Sequence, residues 1–475
     1  MKLSLPLKGR AGKLAYAAGA IGDTGFYQVI NGWLMYFLIS VVFLSPWLGG
    51  LAFALSFGVL NAIFAPLIGS FSDRIRNRFG RRRPFIMIGA PLTILFFVLL
   101  WYPPTGGKPL AEPYALGIFL FVIVVLGAWA WMYSMAAVTW FAIFPEMWES
   151  VKDRSEVVMY RQIFGVVGGA LAVAVFPILV ASMAGKFGEF NGWIWAGLIL
   201  GVVFAGAYLF SLLGIKERKE FLSDKALPMG KAILATFSNK TLRKYVVIDL
   251  MTWCMTGWLS ATMPYFVVDS LGKSEADVAL LMAPSMIGIF AFFIIWRAVY
   301  IRYGPKVTLA SAIIGFTFAF LPCLFVQTVL QGALWAFFVG AAMGGVLLAR
   351  EVMMGDVVDE DEIKTGARRE GSCFGAFIAI EKLSFVIIGV STAFLLSVII
   401  GYVPGQPKPE FMNMGIRIGM FVFTAIYMVI ALIFLRIYPL GKTKATALSK
   451  QIEELHKTKA NKLERATEAE KNINA

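Results

Sequence analysis

Three charged residues stand inside long apolar stretches of this chain: Asp23, Arg161 and Lys382. An ionised side chain at membrane depth is costly, so each is a functional candidate by default. Asp23 is followed by Tyr27 and Asn31 at i+4 and i+8, which places a carboxylate, a phenol and an amide on one helix face. Such a stripe can hydrogen-bond the hydroxyls of a polar small-molecule substrate, and Asp23 can carry a proton along with it. The opposing reading is a structural lock, with Asp23 as partner of Arg161 and Glu381 or Asp249 as partner of Lys382. Glu381 is adjacent to Lys382 and so projects about 100° away around a helix. Tyr133, Ala137, Trp140 and Phe141 recur at helical spacing, and the three aromatics among them offer faces for a substrate ring; Trp253, Thr256 and Trp258 form a similar, weaker set. Packing is the competing role for both sets. No phosphate-binding glycine loop, metal-ligand spacing or nucleophile with a histidine base is present. The one histidine is His456, and Cys254, Cys323 and Cys373 are scattered. The expectation is a non-enzyme with no cofactor and no metal.

Those residues need long membrane helices to position them. Hydrophobic residues make up 59% of the chain and charged residues 15%, a balance that cannot cover a soluble surface of this length. About twenty apolar residues cross a bilayer. By that measure there are roughly twelve spans: 14–42, 46–71, 85–103, 114–144, 157–183, 191–214, 245–268, 277–299, 307–327, 331–354, 371–402 and 412–438. The loop after the second is a basic knot, Asp73-Arg74 through Gly80-Arg81-Arg82-Arg83-Pro84, with six arginines. Positive loops stay in the cytoplasm. Alternate loops follow the rule, with Lys108, Lys186, Lys273 and Lys408 as the single lysines of the outer ones. Both termini are therefore expected in the cytoplasm, in a multi-pass protein of the cell inner or plasma membrane. The net charge of +14 lies between and beyond spans, which argues against nucleic acid as a partner; membrane lipid surrounds the chain instead. The N-terminus lacks a cleavable signal pattern and is expected to be retained.

The long basic loop divides six spans from six. The expected organisation is a first half at 1–214, a linker at 215–244, a second half at 245–438 and a polar tail at 439–475. Arg78-Phe79-Gly80-Arg81-Arg82 after span two has an echo in Arg302-Tyr303-Gly304-Pro305-Lys306 after span eight. Two repeated six-helix halves are the signature of a rocking transporter. In the tail, Glu453 and Lys457 have the spacing of a solvated helix.

The chain resembles the glycoside–pentoside–hexuronide cation symporters of the major facilitator superfamily, the melibiose-permease-like group. The resemblance rests on Gly19-Ala20-Ile21-Gly22-Asp23, Pro66-Leu67-Ile68-Gly69, Ser72-Asp73-Arg74, Gly80-Arg81-Arg82-Arg83-Pro84-Phe85, Pro145-Glu146 and Arg161. It continues through Asp356-Val357-Val358-Asp359, Lys364-Thr365-Gly366, Arg368-Arg369-Glu370-Gly371 and Lys382. It implies an all-α membrane protein of the major facilitator fold, moving a sugar or glycoside by alternating access with a co-transported cation. Substrate contacts would fall on Asp23, Tyr27, Asn31, Tyr133, Phe141, Arg161 and Lys382. Asp73, Arg74, Arg81, Arg82, Asp356, Asp359, Arg368 and Arg369 would form a cytoplasmic gate between the halves. Arg350-Glu351 has only local pairing to explain it.

One departure bears on the cation. Sodium-using relatives usually carry two Asp on span two and another on span four, where this chain has Asn61, Ala65 and Ala137. A proton is therefore expected in place of sodium. The apolar replacements leave room for an amphipathic cargo such as a lysolipid or terpenoid-like glycoside, and a facilitator without ion coupling is a further alternative. A non-transporting receptor on the same scaffold is disfavoured by Asp23, Arg161 and Lys382.

Overall fold

The computed structural model describes residues 9–74, 80–104, 114–148, 151–217, 240–365, 370–404 and 411–448, with isolated positions beside them. The described chain is helical. The first helix, α1, runs over Gly9–Val29 and continues through π-helical turns at Ile30–Leu34 and Phe37–Val41. Eleven more follow: α2 Pro46–Gly69, α3 Arg83–Leu100, α4 Ala115–Phe144, α5 Glu156–Phe187, α6 Glu189–Ser211, α7 Lys240–Ser270, α8 Asp277–Tyr303, α9 Pro305–Leu324, α10 Val329–Lys364, α11 Ala379–Ile400 and α12 Met412–Ile437. In lipid a backbone must satisfy its own hydrogen bonds, which leaves helices as the form these runs can take.

All eleven of these are long and apolar enough to cross a membrane. α1 falls short because it carries Arg10, Lys13, Asp23, Thr24, Gln28 and Asn31. It tolerates them because it sits inside the bundle, with Tyr16, Phe26, Val29 and Ile30 fully buried. α7, the most buried of the eleven, is the counterpart in the second half. The repeat is visible in the packing: α1 lies against α5 and α6, and α7 lies against α11 and α12.

The two basic loops repeat as well. Gly80 and Gly304 both adopt positive φ, at 109° and 84°, just before the helix that follows. A side chain there would be strained. A Cβ would also meet Glu217 at 2.7 Å in the first case and Lys442 at 2.6 Å in the second. Glu217 takes the backbone N–H groups of Arg82 and Arg83 at 2.8 and 2.7 Å, and that of Arg81 at 2.5 Å. It thereby supplies the acceptor that the first turn of α3 lacks.

The helix α7 begins at Lys240, inside the segment expected as the linker. Lys240, Arg243 and Lys244 belong to the first turns of α7, where Lys244 Nζ donates to the carbonyl of Ile437 at 2.9 Å. Basic side chains can begin a membrane helix when they reach the last carbonyls of a neighbour. After α12 the chain forms a further helical turn at 442–448, with Leu440 and Leu448 buried and Lys442 Nζ 2.7 Å from the carbonyl of Arg302. Glu453 and Lys457 lie outside the described residues.

The halves touch away from the arginine-rich end. A Cβ on Gly50 of α2 would sit 2.5 Å from the carbonyl oxygen of Gly389 on α11. Small residues let membrane helices approach this closely. Rings of Tyr36 and Tyr265 meet across the same seam at 5.3 Å. Near the arginine-rich end Lys13 pairs inside the first half, with Asp153 at 2.6 Å and Glu156 at 2.5 Å.

Candidate functional site

α1 carries the polar stripe past the centre of the first half. The Asp23 carboxylate is half-buried, and one oxygen accepts the hydroxyls of Tyr133 on α4 at 2.8 Å and of Tyr208 on α6 at 2.9 Å. One turn on, the Tyr27 hydroxyl donates to Glu381 Oε1 on α11 at 3.2 Å, a hydrogen bond between the halves. Lys382 Nζ lies 4.0 Å from the Tyr27 ring centroid and 3.9 Å from Glu381 Oε1. One further turn brings Asn31, which is buried beside Gly257 of α7, and whose Oδ1 meets no donor among the described residues. The spacing on α1 thus delivers a carboxylate, a phenol and an amide along one line, facing α4 and α6 first and α11 and α7 next.

Two expected pairings are corrected. Asp23 is not salt-bridged to Arg161 in the structure. Its acceptor is filled by two phenols, while the Arg161 guanidinium rests on Phe141 at 4.3 Å, Trp140 at 4.8 Å and Phe144 at 5.5 Å from the ring centroids. Its Nε is buried and meets no acceptor among the described residues. An aromatic face can hold a guanidinium at depth without a carboxylate. Asp249 is not the partner of Lys382 either, because Arg350 has it: Nε lies 3.6 Å from Oδ1, with both side chains buried. Glu381 does reach Lys382, although the two Cβ directions diverge, because both side chains are long.

The aromatic residues divide by role. Trp140 is fully buried and locked to Tyr16. Its Nε1 donates to the carbonyl of Tyr16 at 3.0 Å, and the Tyr16 hydroxyl donates to the carbonyl of Trp140 at 2.9 Å. Trp258 is fully buried against Phe423. Trp253 carries the Arg350 guanidinium at 4.1 Å. Each of these three rings has a partner inside the protein, and Phe141 is the shelf beneath Arg161.

The positions where sodium-using relatives carry aspartates hold no carboxylate here, as their residues Asn61, Ala65 and Ala137 require. Asn61 on α2 and Ser134 on α4 share a hydrogen bond of 3.4 Å, and Ala65 and Ala137 are buried. Among the described residues no group of carboxylates, histidines or thiols could hold a metal ion. Of the expected gate, Arg81 and Arg82 border the Glu217 cap, and Arg82 Nη1 donates to the carbonyl of Ala142. Asp356 and Asp359 lie one turn apart near the end of α10. The side chains of Asp73 and Arg74, and the residues Arg368 and Arg369, lie outside the described residues.

Three participants were not picked out from the sequence as site residues: Tyr208, Glu381 in its contact with Tyr27, and Glu217. Each is an ordinary residue in its own segment. A hydroxyl within the apolar run of α6 and an acid beside Lys382 were the available signals.

A family model described as MFS/sugar transport protein matches residues 15–442. The chain belongs to that family. It is a membrane transporter, a multi-pass protein with a small-molecule substrate, and it is no enzyme. A symporter of Synechocystis sp. is 22% identical, with 93% of this chain and 96% of the relative aligned. The raffinose carrier protein of Pediococcus pentosaceus is also 22% identical, over 94% of this chain and 72% of the carrier. Among solved structures, that of a D-xylose–proton symporter superposes with a TM-score of 0.67 at 16% identity, covering 91% of this chain and 98% of the other. That likeness identifies the fold, the two-halved bundle of the major facilitator superfamily.

Proposed function

We propose that this transporter carries a sugar or glycoside, bound between Asp23, Tyr27, Asn31, Tyr133, Arg161 and Lys382, with Phe141 supporting Arg161. The observation that carries the reading is the Asp23 carboxylate, held by two phenols and still half-exposed, one turn from the Tyr27 bridge to the other half. Hydroxyl groups are suited to compete for a carboxylate, an ammonium and phenols, each charge-assisted bond adding roughly 1.5–3 kcal/mol. The raffinose carrier among its relatives supports that substrate class.

The coupled ion is a proton, with Asp23 as the coupling carboxylate. Asn61, Ala65 and Ala137 offer a sodium ion one amide oxygen and no negative charge. The test is uptake of labelled glycosides by proteoliposomes in sodium-free buffer with an imposed pH gradient. Uptake should persist without sodium, and an obligatory, saturable sodium requirement refutes the proton.

Orientation follows from the basic loops: both termini and the segment joining α6 to α7 face the cytoplasm of a cell inner or plasma membrane. The domain division is 1–214, a linker, 245–438 and a cytoplasmic tail, with Asp73, Arg74, Arg81, Arg82, Asp356, Asp359, Arg368 and Arg369 as the gate on that side. A cysteine placed at position 225 should resist impermeant reagents in intact cells, and labelling from outside would reverse the orientation.

A further inference from the structure

At the end of the bundle opposite the arginine-rich loops, the halves line an open vestibule of about 680 Å3. Its ionisable lining comes from every element around it. Tyr36 of α1 and Glu189 of α6 belong to the first half. Asp269 at the end of α7, Lys273 and Glu275 in the loop to α8, and Tyr402 and Lys408 after α11 belong to the second. Where Tyr36 meets Tyr265, and where Gly50 meets Gly389, the seam is in contact.

Among the described residues no ion pair crosses that seam, and a polar contact that does cross it joins the Tyr36 hydroxyl to Glu275. Lys408 Nζ lies 2.5 Å from Asp269 Oδ1, an ion pair inside the second half. The Asp269 side chain is 3% exposed and its other oxygen meets no donor among the described residues. Lys273 is exposed. Glu275 is half-buried, with Glu189 of the other half and Asp269 of its own as its carboxylate neighbours. Burial first, and then those two carboxylates, push its pKa up to about 7, against the smaller lowering effect of the hydrogen bond from the Tyr36 hydroxyl of the first half.

We propose that Glu275 is the proton-binding site of the gate at this end. With a proton it allows the halves to stay together, and without one it favours their separation. The sign follows from linkage. In the closed form Glu275 holds its proton more tightly than it does when hydrated in an opened vestibule, so closing takes up a proton. The advantage of closure is complete below the ordinary carboxylate range, declines as pH rises, and is lost above about 7. In the symporter reading given above, this adds a proton-linked step at the mouth of the pathway, separate from Asp23. Only its place in the transport cycle rests on that reading.

The test needs neither substrate nor transport. Spin labels at Phe187→Cys in the first half and Phe325→Cys in the second, both exposed positions, report the separation at this end. Cys254 and Cys323 are buried, and Cys373→Ser completes the background. Distances are measured by pulsed dipolar spectroscopy in lipid nanodiscs from pH 4 to 8.5. The wild-type distribution should move from short to long over the acidic range and be flat above about 7. Glu275→Gln should hold the short distance throughout. Glu189→Gln should keep the transition but end it at lower pH, because one repelling carboxylate is gone. Unchanged pH dependence in Glu275→Gln, or none in the wild type, overturns the proposal. Either result leaves the glycoside reading untouched, and a failure to bind glycosides leaves this one standing.

Discussion

Each half sets an aspartate, an arginine and a tyrosine among aromatic rings, and the two sets are arranged differently. In the second half Asp249 pairs with Arg350 at 3.6 Å, and Tyr245 donates to the Arg350 carbonyl at 2.8 Å. In the first half Asp23 is held by Tyr133 and Tyr208, and Arg161 stands apart on its aromatic shelf. The second set is closed on itself. The first leaves a carboxylate half-exposed and a guanidinium nitrogen without an acceptor among the described residues. An arrangement that satisfies its own charges stabilises a fold, whereas one that leaves them available can bind a ligand.

The largest expected effect breaks the closed set. Arg350→Met strands Asp249 in a buried site and should cost about 3–5 kcal/mol, read as a large fall in melting temperature. Pairing it with Asp249→Leu should recover most of the loss, since a buried ion pair is often replaceable by apolar packing. Asp23→Asn should behave in the opposite way. The amide oxygen still accepts from Tyr133 and Tyr208, so melting should change little, while glycoside affinity falls about tenfold or more. If Asp23→Asn lowers stability and leaves affinity intact, the two sets are equivalent locks and the contrast fails.

A smaller effect comes from the two basic loops, which share a glycine of positive φ and differ in chemistry. Glu217 caps the start of α3, whereas Lys442 lies against the last carbonyls of α8. Both choices suit the helix dipole, an anion at an N-terminus and a cation at a C-terminus. Glu217→Ala removes the acceptor of three N–H groups and should cost about 1–2 kcal/mol. Lys442 is exposed, and Lys442→Ala should leave the melting temperature unchanged within error. Equal losses would mean that the two loops share their energetics as well as their glycine.

Hydropathy and charge alone specified the membrane helices, the repeat and the basic loops, because lipid imposes a one-dimensional rule on each segment. Helix periodicity was enough to place Asp23, Tyr27 and Asn31 on one face. The start of α7 at Lys240 was misplaced because that rule treats lysines as loop residues, and it cannot see the α12 carbonyls that Lys244 reaches. Pairings were beyond it for the same reason. Whether Asp23 meets Arg161 or two tyrosines depends on how α4, α5 and α6 are rotated about their axes, and that rotation is set by packing such as the Tyr16–Trp140 lock. Asp249 and Arg350 lie far apart in the chain, and Glu217 stands in a segment with no periodicity at all. Only the tertiary structure brought a carboxylate from beyond α6 onto the first turn of α3, because a helix terminus has free N–H groups and takes whichever acceptor the fold delivers.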